Sequence, residues 1–272
     1  MTTRLLFALA AIAVLAGCID KTPAPRVNEL LRQKQLAQEN AFLAYEDRDW
    51  KAAARNFQNT ADILNAVDDY PGEAASRHNQ ARALQHAGQL DAAIAAYQRA
   101  LAINRRLKRP AEEALNLTGL AQCYAAQNKP GDAIAAAEQA LPNAGASKLI
   151  VQNDLASYLI QRNAPGDLDR AAKLLDISDP KLAVTQLNVG RLALAAGKPA
   201  DAKPRLTQAL EGFRAALDPA GIVACHDLLA KCCAALGETD AAQFHQQEAR
   251  NKFLRLKTVP ATPGTKPEHK TP

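Results

Sequence analysis

Aromatic residues make up only 4% of the 272-residue chain, although 48% of it is hydrophobic. The apolar content is mostly alanine and leucine, which suits close helix–helix packing better than sheets. No alternating run of Val, Ile and Thr bounded by turn residues occurs, and this argues against strands. Catalytic signatures are missing too. There is no H-E-x-x-H and no G-x-S-x-G, so the chain reads as a non-enzyme. Gly190 and Gly197-Lys198 have the residue types of a phosphate loop, but six residues separate the glycines and Pro199 replaces its Ser or Thr. The formal net charge of +5 is mild, and no nucleic-acid partner is expected. Among the five cysteines, Cys225 and Cys232 would lie about 10.5 Å apart along a helix, too far for a disulfide. Cys225-His226 with Cys232-Cys233 lacks the three- or four-residue spacing of helical metal ligands. Buried thiols are expected there, with no metal and no cofactor.

Charge is nearly absent from the first 17 residues. Arg4 precedes an apolar run from Leu5 to Ala16, too short to span a bilayer as a helix and suited to a secretory signal peptide at residues 1–17. Leu15-Ala16-Gly17-Cys18 resembles the bacterial lipobox. That resemblance implies cleavage before Cys18 and lipidation of its thiol and new amino group, as in a lipoprotein of a Gram-negative bacterium. Ile19 rather than Asp follows the cysteine, which implies the outer membrane, with the protein facing the periplasm. Residues 18–33 would form the lipidated N-terminus and a tether containing Pro23 and Pro25. From Thr258 the chain reads TVPATPGTKPEHKTP, which has too few apolar residues for a core, so 258–272 is expected to be a disordered tail.

Between them the helical pattern repeats. Six units begin near Lys34, Ala74, Ala114, Leu149, Ala183 and Val223. Their eighth position holds Ala41, Ala81, Ala121, Ala156, Gly190 and Ala230. The twentieth holds Ala53, Ala93, Ala133, Ala171, Ala202 and Ala242, with three extra turn residues allowed in the fourth unit. The twenty-seventh holds Thr60, Ala100, Ala140, Ser178, Ala209 and Ala249. Gly88, Asn128, Asn163, Gly197 and Gly237 stand where first helices end, as left-handed caps do. Asp91, Asp169 and Asp240 stand at the starts of second helices. These columns resemble the tetratricopeptide repeat (TPR) family. The resemblance implies an all-α, right-handed α-α superhelix over residues 34–257. Spacings of 40 residues predict helices longer than the usual repeat carries, and Ala164-Pro165-Gly166 marks unit four as irregular.

In TPR proteins the first helix of each unit lines the concave side, and fixed positions on it point inward. Carried over, these are His78, Arg82, Gln85 and His86 in unit two, and Ile150, Asn153, Ser157 and Ile160 in unit four. Unit five gives Val184, Leu187, Arg191 and Leu194, and unit six Asp227 and Lys231. Cations Arg82, Arg191 and Lys231 would form one wall, and Val184, Leu187 and Leu194 an apolar floor. The expected role is a membrane-anchored scaffold that binds a protein or peptide in a cell-envelope complex, such as pilus or secretion machinery. The alternative is an adaptor or binder for cell-wall or polysaccharide synthesis, using the basic run Arg105-Arg106 with Lys108-Arg109.

Overall fold

A helix and a three-residue turn recur every 20 positions through much of the chain, and the turn sets the period. Arg48, Asp68, Gly88, Lys108 and Asn128 all have left-handed backbones, with φ of 59°, 57°, 73°, 54° and 58°. The same geometry returns at Gly197, Leu217 and Gly237. The next residue's N–H bonds to the carbonyl five positions back, as in Asp49 to Ala44, Gln89 to Leu84 and Asp218 to Phe213. This is the Schellman C-cap, which satisfies carbonyls that the end of a helix would leave bare. The following helix starts at once. Asp49, Asp69 and Asp218 accept N–H bonds from the first turn, while Pro110, Pro130, Pro199 and Pro219 take the first position, where no N–H is needed.

The computed structural model describes residues 26–258. They form α1 (Arg26–Glu46), α2 (Trp50–Ala66), α3 (Tyr70–His86), α4 (Leu90–Arg106), α5 (Pro110–Ala126) and α6 (Pro130–Ala140). After two single 3-10 turns come α7 (Lys148–Arg162), α8 (Asp167–Asp176), α9 (Ala183–Ala195), α10 (Pro199–Ala215), α11 (Pro219–Ala235) and α12 (Thr239–Thr258). Consecutive helices pack as antiparallel pairs, giving six helix–turn–helix units in an all-α solenoid; no strand occurs among the described residues. Cys18 and the signal segment lie outside the described residues, as does the tail beyond Thr258. Residues 26–33, expected within the tether, already belong to α1. No described helix is long and apolar enough to cross a membrane.

The small-residue columns are where helices cross. Ala41, Ala53, Ala81, Ala93, Ala100, Ala133, Ala140, Ala156, Ala171, Ala202 and Ala209 are all fully buried. A side chain at Gly190 would place its Cβ 2.6 Å from Leu206, so that crossing admits nothing larger. In the last unit Ala230, Ala242 and Ala249 are only half-buried, since no described helix stacks beyond α12. The period breaks in unit four as expected: α8 has 10 residues, against 17 in α2 to α5. The inserted turn there is held by Asp167, which accepts from the Ala164 N–H and from two Arg162 nitrogens. Pro204 falls inside α10, which runs on unbroken as one helix to Ala215.

Candidate partner-binding site

The first helix of each unit faces inward. Successive first helices approach one another directly at α3/α5, α5/α7, α7/α9 and α9/α11, more closely than successive second helices do. A stack closer along one edge is concave on that edge. Polar side chains bridge the inner helices. Gln85 donates to Gln122 at 3.4 Å, and Gln122 to Asp154 at 3.1 Å. Asn188 donates to the Asn153 carbonyl at 3.0 Å and Arg191 to Ser157 Oγ at 3.2 Å. Burial pushes the Asp154 carboxyl up, against the Gln122 bond that lowers it.

Between α3, α5 and α7 these contacts frame a cleft of about 300 Å³. His78, Arg82 and His86 line it from α3, each four residues from the next and so on one helix face. Leu115 and Gln122 come from α5 and Ile150 from α7, with Tyr97 behind them. Leu115 is 47% exposed and Ile150 56%, large apolar side chains left facing water beside a polar wall. The His78 Nδ1 lies 3.0 Å from Asn116 Oδ1, whose own amide donates to the Glu112 carbonyl. Asn116 therefore accepts, His78 Nδ1 carries the hydrogen, and Nε2 is left for a ligand. Burial, then Arg82, pushes the His78 pKa down, against the Asn116 bond. His86 stacks on Trp50 at 4.6 Å, and burial, Arg82 and Arg48 all lower its pKa. The Arg82 guanidinium sits 5.4 Å from the Tyr45 ring centre.

The other expected site residues are placed differently. Arg191 is half-buried and bonded to Ser157 and Asn188; Lys231 is ion-paired with Asp227 at 2.6 Å. Of the three expected cations, Lys231 is ion-paired and Arg191 is held by neutral groups, while Arg82 forms no ion pair among the described residues. Val184 and Leu194 are half-buried. Leu187, expected on the groove floor, is 5% exposed and packs in the core with Ala202 and Leu206. α9 is covered by α7, α8, α10 and α11, so its turn from Thr185 to Asn188 is buried on every side. The exposed apolar surface lies instead at Leu115 and Ile150. Leu115, Thr118 and Gln122 were not singled out, although they occupy the same inward positions in unit three.

The basic run on the outer side is largely spoken for. Arg105 pairs with Glu113 at 3.7 Å, Arg109 with Glu112, and Arg106 lies 4.3 Å over the Tyr70 ring. An outer groove of about 430 Å³ between α2 and α4 carries Lys51, Arg55 and Arg99 over an alanine floor. The cysteines Cys123, Cys225, Cys232 and Cys233 are buried free thiols, and no group able to hold a metal occurs among the described residues.

Known proteins agree with this architecture. The tetratricopeptide repeat profile matches residues 35–106 and 85–146. The crystal structure of PilW, a widely conserved type IV pilus biogenesis factor, superposes with a TM-score of 0.59 at 19% identity, covering 85% of this chain and 96% of that one. A Rap protein complexed with Competence and Sporulation Factor gives 0.59 at 15% identity, over 84% of this chain and 66% of that one. Comparison with curated proteins found no match. The chain thus has a TPR-like α-solenoid fold, and its residues 35–146 match the tetratricopeptide repeat model.

Proposed function

We propose that this protein is a lipid-anchored scaffold of the bacterial envelope that holds a protein or peptide partner on its concave face. The observation that carries the reading is the α3–α5–α7 cleft, where exposed Leu115 and Ile150 adjoin the polar row His78, Arg82 and His86. Apolar anchors beside polar groups are what a docked peptide or helix uses. The similarity in fold to PilW favours pilus or secretion machinery as the setting, and the lipobox-like Leu15 to Cys18 favours attachment through Cys18 with the solenoid in the periplasm, at the outer membrane.

The test is a photo-crosslinker at position 150 in the native envelope, with the adduct identified by mass spectrometry. One dominant adduct is expected, and it should vanish with Leu115→Glu plus Ile150→Glu while helicity stays near the parent's. Cys18→Ser should move the protein out of the membrane fraction or leave the precursor uncut. Undiminished crosslinking in the double variant would sink the concave-face reading. A second reading is favoured by the outer groove: Lys51, Arg55 and Arg99 would suit an anionic cell-wall polymer. That binding should weaken strongly with added salt, whereas apolar docking should not.

A further inference from the structure

The α3 wall of the cleft has a chemical bias that concave docking alone does not explain. His78, Arg82 and His86 put one fixed cation between two imidazoles on a single face. Several cations elsewhere on the solenoid are drawn into local ion pairs: Lys231 with Asp227, Arg109 with Glu112, Arg162 with Asp167. Arg82 is not. It is exposed and lies over the face of Tyr45, which tolerates a cation without neutralising it. Asp154 lies behind Gln122, which already donates to it at 3.1 Å.

We propose that the cleft seats a carboxylate of an extended acidic segment of the partner, with Arg82 as its charged contact and His78 and His86 on either side. Leu115 and Ile150 would receive an apolar residue next to that carboxylate. The inference rests on the concave-face reading and adds the chemistry of the occupant. A guanidinium can meet a carboxylate with two parallel N–H bonds, and the Nε2 of His78 adds a third donor once the ring is protonated.

This arrangement couples binding to protons. The groups facing the two imidazoles are Arg48 and Trp50 near the α1–α2 turn, Tyr45 on α1, Arg82 and Gln85 on α3, Tyr97 on α4, and Asn116 on α5. None is acidic, so burial and positive charge hold both rings neutral at pH 7. A bound carboxylate reverses that bias and favours the imidazolium form. Binding therefore takes up protons, and affinity rises as pH falls below about 6.5, until the ligand's own carboxylate protonates near 4.3. Burial raises the Asp154 carboxyl, so as pH falls it loses its charge before an ordinary aspartate does.

The experiment uses the purified full chain, immobilised, and a degenerate pool of eight-residue peptides, with retained sequences read at pH 7.5 and 5.5. Retained peptides should be enriched in Glu or Asp next to Leu, Ile or Val. A labelled peptide from that pool should bind at least tenfold tighter than its Glu→Gln counterpart. Its affinity should rise at least threefold from pH 7.5 to 5.5. Arg82→Gln should erase the Glu-over-Gln preference with an unchanged melting curve, and His86→Gln should reduce the pH effect by about half. Retention with no acidic preference, no retention at all, or full preference in Arg82→Gln would overturn the proposal. If peptides without acidic preference are retained and lost in Leu115→Glu with Ile150→Glu, concave docking stands and only the carboxylate seat falls.

Discussion

Left-handed backbone at a residue with a Cβ costs about 1–2 kcal/mol relative to the right-handed form. Leu217 adopts it, at φ 52°, with its side chain 86% exposed and so with little contact to offset the strain. Leu217→Gly should raise stability by roughly 0.5–1 kcal/mol, part of the relief being cancelled by the freer unfolded chain. Paired thermal melts measure it, and a melting point lower than the parent's would refute the strain. A second residue-scale feature is His226, which is fully buried. Its Nδ1 lies 3.0 Å from the Nδ1 of His245, so only one of the two can carry a hydrogen there. Burial, then His245, pushes the His226 pKa down to about 4, with Lys252 and Arg214 acting the same way and Glu248 opposing. A histidine held below its unfolded value of about 6.5 stabilises the fold fully above that pH, and the contribution fades as pH falls towards 4. Up to about 3 kcal/mol is lost across that window. The parent's melting temperature should drop steeply from pH 6.5 to 4.5, and His226→Leu should flatten that arm; equal slopes would refute the assignment.

At the scale of helices and turns, the chain is legible where local chemistry decides and opaque where packing does. Gly88, Gly197 and Gly237 announce their turns because glycine adopts positive φ freely. Arg48, Asp68, Lys108 and Leu217 make the same turn without any such mark. There the Schellman bonds and the following helix start impose the conformation on whatever residue stands at that position. The aspartates show the same division. Asp91 stands in the first turn of α4, as its place at a helix start predicts, but its carboxylate accepts from Gln127 at 2.7 Å. Alanine columns reveal which faces cross, since only small residues fit there. They do not reveal how much of a helix its other neighbours cover. Position within a unit placed Leu187 on the inner side, as it did Arg82. Leu187 entered the core against Ala202 and Leu206, while the open apolar surface lies three positions earlier in the unit, at Leu115 of α5 and Ile150 of α7.

Across the whole molecule, contacts are dominated by neighbours in sequence, and each unit touches little beyond the one before and after it. Stability in such a stack is a sum of units and their interfaces. The left-handed turn residues make this sum editable. Asp68 and Lys108 share nearly the same φ, and each is followed by the start of a first helix. Excising residues 69–108 would join Asp68 to Arg109 across a turn already shaped for the junction, and would bring α2 against α5 in the role α3 now fills. Excising residues 69–88 alone removes less chain but sets α4, a second helix, where a first helix belongs. The 40-residue deletion should therefore melt cooperatively and retain helicity per residue, while the 20-residue deletion should not; circular dichroism distinguishes them, and equal stability would refute the equivalence of the turns. A gene encoding this chain could accordingly lengthen or shorten its product by unequal recombination in steps of 40 codons, changing the length of the concave face without inventing a new joint.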